Sequence, residues 1–140
     1  MKMRINLFQE SGTLDNRAIG AGVYIVELRR ENEEQPIPLY IGRSVYMIKR
    51  SGEHLFEFND APEYFGLETL DLDDKKLELY FRILEFLPNA TKSELREKER
   101  YHIAERNPVT QFSSSDWQID DRLKVVKDKR AELWETNNSE

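Results

Sequence analysis

Two short runs of β-branched and aromatic residues constrain the fold of this chain most strongly. The first, residues 23–28, follows Gly22, and the second, residues 39–41, ends at Gly42. Residues 29–38 between them are polar and include two prolines, a composition that favours a loop. We therefore predict two neighbouring strands joined by this loop, in the simplest case as a hairpin.

A third strand is predicted from strict alternation over residues 77–84. Its apolar positions on one face are Leu77, Leu79, Phe81 and Ile83. A period of two residues is typical of a strand with one side packed on a core. Three strands with helices between and after them predict an α/β chain of the α+β type.

Helices are predicted by their end signals. Ser44 can cap a helix that ends near residues 56–59, and Thr91 and Glu94 have the spacing of a capping box. The second helix should run to Asn107, because the residue before a proline disfavours helix. A last helix, capped by Asp116 or a nearby serine, is predicted at about 117–135. The acidic connection 53–74 should contain one helical turn after Pro62.

Composition narrows the class of protein. The chain has 140 residues, 39% of them hydrophobic, a formal charge of -6 and no cysteine. This predicts a single domain over residues 1–140, with a core at about 20–112, and excludes disulfides, thiolate metal sites and cysteine nucleophiles. No run approaches the roughly 20 apolar residues of a membrane span, so we expect a cytoplasmic protein with no membrane partner. A polyanion would have to bind a local basic patch.

Such a patch is predicted at residues 39–52, which include Arg43, Lys49 and Arg50 but no acid. Arg50 and His54 are one helical turn apart and project in the same direction. The pattern fits a solvated helix face equally well.

Tyr24 and Tyr40 lie in the two predicted neighbouring strands and can face the same side. As isolated residues, tyrosines in strands are more often core aromatics than catalytic groups. A phenol, with a pKa near 10, accepts a proton at neutral pH only if cations or a metal lower that pKa. Arg43 and Arg50 are the cations placed to do so.

Glu99 occupies the middle of an apolar stripe formed with Leu95 and Ile103. A carboxylate there needs a cation or water. One reading is a boundary residue that reaches water or pairs with a neighbouring cation of its own helix: Lys92, Arg96 or Arg106. The other is a metal ligand.

Taken in order, these residues resemble a known family. Gly22-Val23-Tyr24, Tyr40-Ile41-Gly42, Arg50, His54 and Glu99 are similar in order, spacing and element type to the GIY-YIG nuclease domain. Glu99 is followed, as in that family, by an isoleucine and a proline, here Ile103 and Pro108, while Gln111 replaces the usual asparagine. The resemblance covers about residues 22–111 and implies a three-stranded antiparallel sheet flanked by helices.

The resemblance also implies an activity, the hydrolysis of DNA phosphodiester bonds with one Mg²⁺ or Mn²⁺ ion. Its catalytic residues here would be Tyr24, Tyr40, Arg50, His54 and Glu99, with Glu99 the sole protein ligand of the metal. The residues implied in substrate binding are Gly42, Arg43 and Gln111.

Two other readings stay open. In the first, the chain is a catalytically silent binding module on the same scaffold, for nucleic acid or a protein partner. Alternatively, the acidic stretch 53–74 docks onto a basic protein that supplies specificity, making this chain one subunit of a larger nuclease.

Overall fold

The chain folds as an α+β structure with a four-stranded mixed sheet. A computed structural model describes residues 1–6, 13–111 and 119–135, and the structural statements below concern these residues. Its strands are β1 (Lys2–Asn6), β2 (Gly22–Arg30), β3 (Ile37–Ser44) and β4 (Leu77–Phe86). Its α-helices are α1 (Met47–Asp60), α2 (Lys92–Arg106) and α3 (Ile119–Arg130), and α3 continues into a π-helical turn, Ala131–Glu135. None of the described helices is long and apolar enough to cross a membrane.

The three predicted strands and the second helix are confirmed. β2 pairs antiparallel with β3 on one side and with β4 on the other. At the start of α2, Thr91 Oγ1 accepts a hydrogen bond from the Glu94 backbone N–H at 3.1 Å, and Glu94 Oε1 accepts one from the Thr91 N–H at 3.3 Å. The helix ends at Asn107, which has a left-handed backbone with φ of 50°.

The predicted three-stranded antiparallel sheet is wrong in one respect, because β1 adds a fourth strand. The strand order is β1-β4-β2-β3, and β1 runs parallel to β4. β1 lies at an edge and is mostly exposed, and only Ile5 of its residues packs against the core. A strand held mainly by backbone pairing leaves little apolar pattern in the sequence.

The ends of the other helices differ in detail from the prediction. Ser44 does not cap α1; its Oγ accepts a hydrogen bond from the Tyr46 N–H at 3.0 Å, one residue before Met47 begins the helix. The predicted cap Asp116 lies outside the described residues. The acidic connection contains the expected turn, a 3-10 helix over Pro62–Phe65, and a second one over Thr69–Asp73.

The sheet has a different core on each face. The larger core lies on the α1 side and includes Tyr24, Leu39 and Phe58. A smaller cluster on the other face joins Val23, Ile25 and Ile41 to Ile103 of α2. α1 and α2 therefore approach opposite faces of the sheet, and β3 is the edge strand next to both.

A β-bulge in β3 lies just before its tyrosine. Val26 pairs with Tyr40 and Glu27 with Pro38, so Leu39 is an extra residue without a partner in β2. Leu39 and Tyr40 both pack with the larger core as a result. The register after the bulge is regular, and Tyr40 shares the α1 face with Tyr24 because it lies two residues before Gly42, the partner of Tyr24.

Candidate active site

Tyr24, Tyr40 and His54 converge between the sheet and α1. The ring centroids of the two tyrosines are 6.3 Å apart, and the His54 ring lies 5.4 Å from Tyr24 and 5.5 Å from Tyr40. Tyr24 Oη and His54 Nε2 are hydrogen bonded at 2.7 Å. Three residues that the sequence placed on three elements thus form one contiguous aromatic cluster.

Gly42 provides the space for this cluster. It pairs with Tyr24 across the two strands. A Cβ atom at Gly42 would overlap Tyr24 Oη and would lie 2.6 Å from Tyr24 Cζ and 2.9 Å from Tyr40 Cε1. The glycine is therefore required sterically where both phenols cross the strand.

His54 is neutral at physiological pH. Burial, reinforced by the charge of Arg50, lowers its pKa to about 4. A neutral imidazole that accepts the Tyr24 hydroxyl hydrogen at Nε2 carries its own hydrogen on Nδ1. Nδ1 is buried without a hydrogen bond to any described residue, and Glu57 Oε2 lies 3.5 Å from it. Tyr24, His54 and Glu57 are thus arranged in a row.

Arg50 supplies a fixed positive charge beside Tyr24, His54 and Glu57. Its Nη1 donates to Glu53 Oε2 at 2.7 Å and lies 3.9 Å from Glu57 Oε1. Burial opposes the charged guanidinium, but hydrogen bonding to Tyr24 and Glu53 outweighs it and raises the pKa of Arg50. Arg50 therefore stays protonated throughout the accessible pH range.

Burial affects the pKa values of the two tyrosines more than the charge of Arg50 does. Tyr24 is 1% exposed, and burial raises its pKa despite the opposing effect of Arg50. Burial also raises the pKa of Tyr40, with a further contribution from the charge of Glu99, while Arg50 and Arg43 act the other way. The expected field of the arginines is present, but it does not make either tyrosine acidic in the free protein.

A cleft of about 210 Å³ opens beside the cluster. Among its lining residues are the sequence candidates Tyr40, Arg50 and His54, joined by Glu57, Tyr64, Phe65, Thr110 and Arg122. Arg122 comes from α3 and donates to the Tyr64 carbonyl at 2.9 Å. The sequence carries no signal that Arg122 would reach this cleft.

Glu99 lies on the α2 side of edge strand β3. Its Oε1 accepts a hydrogen bond from Arg43 Nη1 at 2.8 Å, and its side chain is 15% exposed. The partner is therefore a strand residue and none of the three helix cations considered from sequence. The negative charge of Glu99 contributes to raising the pKa of both Tyr40 and Tyr24, which puts the carboxylate within electrostatic range of the phenols.

Gln111 ties the segment after α2 to the same strand. Its Oε1 accepts a hydrogen bond from the Ile41 backbone N–H at 2.7 Å. Next to it, the Val109 and Thr110 N–H groups donate to the carbonyls of Pro38 and Leu39, both at 2.9 Å. Gln111 thus holds β3 in place and contacts the backbone between Tyr40 and Gly42.

Glu99 is the group that could take a cation. No cluster of three or more acidic or histidine residues able to hold a metal occurs in the described part of the chain. Glu99 Oε2 accepts no hydrogen bond from those residues, which leaves one carboxylate oxygen open. Magnesium commonly binds one or two carboxylates and completes its shell with waters and substrate phosphates, so a single-carboxylate site fits its chemistry.

Comparison of the chain with models of known protein families, with curated proteins and with solved structures found no match.

Proposed function

We propose that this chain is a divalent-metal-dependent endonuclease that hydrolyses DNA phosphodiester bonds with a GIY-YIG type of active site. The observation that carries the proposal is that Tyr40, His54 and Arg50 line one cleft, with Tyr24 buried behind them and hydrogen bonded to His54. These residues come from three different elements, β2, β3 and α1. If the resemblance to the GIY-YIG family were accidental, there would be no reason for these four side chains to lie together.

The Tyr24–His54 pair can remove a proton from an attacking water without forming a free phenolate. As the water oxygen bonds to phosphorus, the bond from phosphorus to the departing oxygen breaks, and that oxygen takes a proton from solvent. Tyr24 Oη takes the proton of the attacking water and passes its own hydrogen to His54 Nε2. The water has to reach the buried Tyr24 hydroxyl from the cleft that Tyr40 and His54 line. The imidazolium that forms faces the Glu57 carboxylate, 3.5 Å from Nδ1. Tyr24 stays neutral in this relay, which suits a phenol whose pKa is raised by burial, and the charge that His54 takes up faces a carboxylate.

Arg50 is placed to act on the phosphoryl oxygens. Negative charge on these oxygens grows toward the transition state, and a guanidinium fixed beside them stabilises that state more than the bound substrate. The Glu53 and Glu57 carboxylates hold Arg50 at the cleft before substrate arrives. Tyr40, in contact with His54, would orient the water or the phosphate.

Glu99 would hold the metal through Oε2, with Arg43 fixing the carboxylate through Oε1. A Mg²⁺ or Mn²⁺ ion bound there would supply Lewis-acid stabilisation of the phosphate.

The test is cleavage of supercoiled plasmid with Mg²⁺ or Mn²⁺ and, as a blank, with EDTA. Glu99→Gln should lower the rate at least about 10²-fold, because it removes the charge that binds the cation. Glu97→Gln is the matched control, an exposed acid on the same helix that makes no contact with the candidate site. Equal rates for the two variants would refute the metal role of Glu99.

The second candidate is a catalytically silent binding module on the same scaffold, for nucleic acid or a protein partner. Two observations favour it: Arg43 already neutralises Glu99, and burial raises the pKa of both phenols. This reading predicts no turnover with any divalent ion while association with the partner persists. The plasmid assay therefore decides between the two candidates.

A further inference from the structure

A second cleft, of about 260 Å³, opens on the α2 side of β3. It is lined by Arg43, Ser44, Val45, Lys92, Leu95 and Arg96. Three of these six residues are cations and none is an acid, in a protein whose formal charge is -6. The cleft is therefore a local positive site beside the Glu99 carboxylate.

The fold brings these cations together from two elements. Lys92 and Arg96 are four residues apart on α2 and so lie on one face of the helix, while Arg43 lies near the end of β3. Neither Lys92 nor Arg96 has an ion pair with a described residue, although several acids lie on the same helix. Both charges are thus left for a partner.

The neutral residues of the cleft add a donor and an apolar wall. Ser44 Oγ accepts a hydrogen bond from the Tyr46 N–H, which leaves the hydroxyl hydrogen to donate. Val45 is 69% exposed and is covered by no described residue. An anion bound here would contact three cations and a hydroxyl, with an apolar surface next to it.

We propose that this cleft binds a backbone phosphate of a nucleic acid, one that flanks the phosphate to be cut. The inference rests on the proposed function and adds Lys92 and Arg96 as substrate-binding residues. A phosphodiester offers oxygens in several directions around one centre, which matches donors that approach from a strand and a helix. The exposed Val45 suits the sugar that follows such a phosphate.

Arg43 connects this cleft to the candidate metal ligand. A guanidinium has five N–H donors, and one of them is used on Glu99 Oε1. The remaining donors can face a phosphate in the cleft while the carboxylate stays held. One side chain would thus fix the flanking phosphate relative to Glu99.

The experiment measures binding of a fluorescein-labelled duplex oligonucleotide by anisotropy, in EDTA so that nothing is cut. The double variant Lys92→Gln/Arg96→Gln should bind about 10-fold or more weakly at low salt. The slope of log K against log salt should fall in magnitude by about two, one for each lost phosphate contact. Arg100→Gln, an exposed cation of α2 outside the cleft, is the matched control and should stay within about twofold of the unmodified chain.

Circular dichroism checks that both variants fold. Unchanged binding and slope in the double variant would overturn the proposal, as would failure of the unmodified chain to bind the duplex. Displacement of the duplex by polyglutamate as readily as by unlabelled oligonucleotide would also overturn it, since the cleft would then suit an acidic peptide. Because the assay needs neither metal nor cleavage, duplex binding without plasmid cleavage would refute the proposed activity and leave this site standing.

Discussion

At the residue scale, Gly42 is the position on which the two phenols depend most directly. Gly42→Ala introduces a Cβ into Tyr24 and Tyr40. Overpacking of this kind typically costs about 1–3 kcal/mol, so we expect the free energy of unfolding to fall by that amount in urea titrations. The near-ultraviolet circular dichroism should change as the rings move.

Gly52→Ala is the matched control for this substitution. Gly52 is an exposed residue within α1, and apart from its chain neighbours and the backbone of its own helix no atom lies within 4 Å of an added Cβ. Alanine there should raise stability by roughly 0.5–1 kcal/mol, since glycine is the poorer helix former. If Gly42→Ala were as stable as Gly52→Ala, the close packing described for the phenols would be wrong.

Because of His54, the free energy of unfolding should depend on pH between about 4 and 6.5, a range in which few other side chains titrate. The pKa of His54 is lowered from 6.5 to about 4 by burial and Arg50. Between these values the unfolded chain binds the proton and the folded chain does not, so stability falls as pH drops from about 6.5 toward 4, by about 3 kcal/mol at most. Urea titrations at intervals of pH measure this slope.

His54→Gln should flatten the profile between pH 4.5 and 6.5. Glu85 and Asp15, whose pKa values are lowered by contacts with His102 and Arg17 respectively, affect stability only below this window. An unchanged slope in the variant would mean that His54 is not buried in its neutral form.

The partner of Glu99 could not be predicted from the sequence. The need for a cation near this carboxylate followed from its place in an apolar stripe. The nearby cations of its own helix were the candidates that sequence spacing supplied, yet Arg43 is 56 residues away along the chain. Such a pairing depends on how α2 packs against β3, and helical spacing carries no information on that packing.

At the scale of elements, α2 is the helix that the sequence predicted best, because its capping signals lie in the residues at its own ends. Thr91→Ala removes the side-chain acceptor for the Glu94 N–H and should lower the free energy of unfolding by about 1 kcal/mol. Ser93→Ala, at an exposed position in the first turn, should change it by less than about 0.5 kcal/mol. Similar losses for the two variants would show that the capping box contributes little.

The strands that could be predicted from the sequence are those that bury apolar side chains. β2, β3 and β4 have buried positions along one or both faces, and their alternation or apolar runs were visible in the sequence. β1 has none, and its place beside β4 depends on backbone hydrogen bonds to a strand more than 70 residues away. Long-range pairing of an exposed edge strand leaves no local pattern to detect.

For the whole molecule, the net charge of -6 limits how a nucleic acid can bind. If contact is confined to about four cations, Arg43, Arg50, Lys92 and Arg96, the affinity for DNA should fall roughly 10²-fold between 50 and 200 mM salt. Anisotropy titrations of the unmodified chain at several salt concentrations measure this dependence. A fall well beyond 10³-fold would show that a wider basic surface takes part.

The bulge gives β3 one residue that its pairing with β2 does not need. Tyr40 pairs with Val26 and Gly42 with Tyr24 in unbroken register, which keeps the two phenols on one face. Pro38 pairs with Glu27 on the other side of the bulge, so deletion of Leu39 would join two stretches that are already in phase and would remove a buried leucine from the larger core. Deletion of a residue between Tyr40 and Gly42 would instead shift one of them out of register with β2. Within residues 40–42, insertions and deletions are therefore a greater hazard to the cleft than conservative exchanges of one apolar side chain for another.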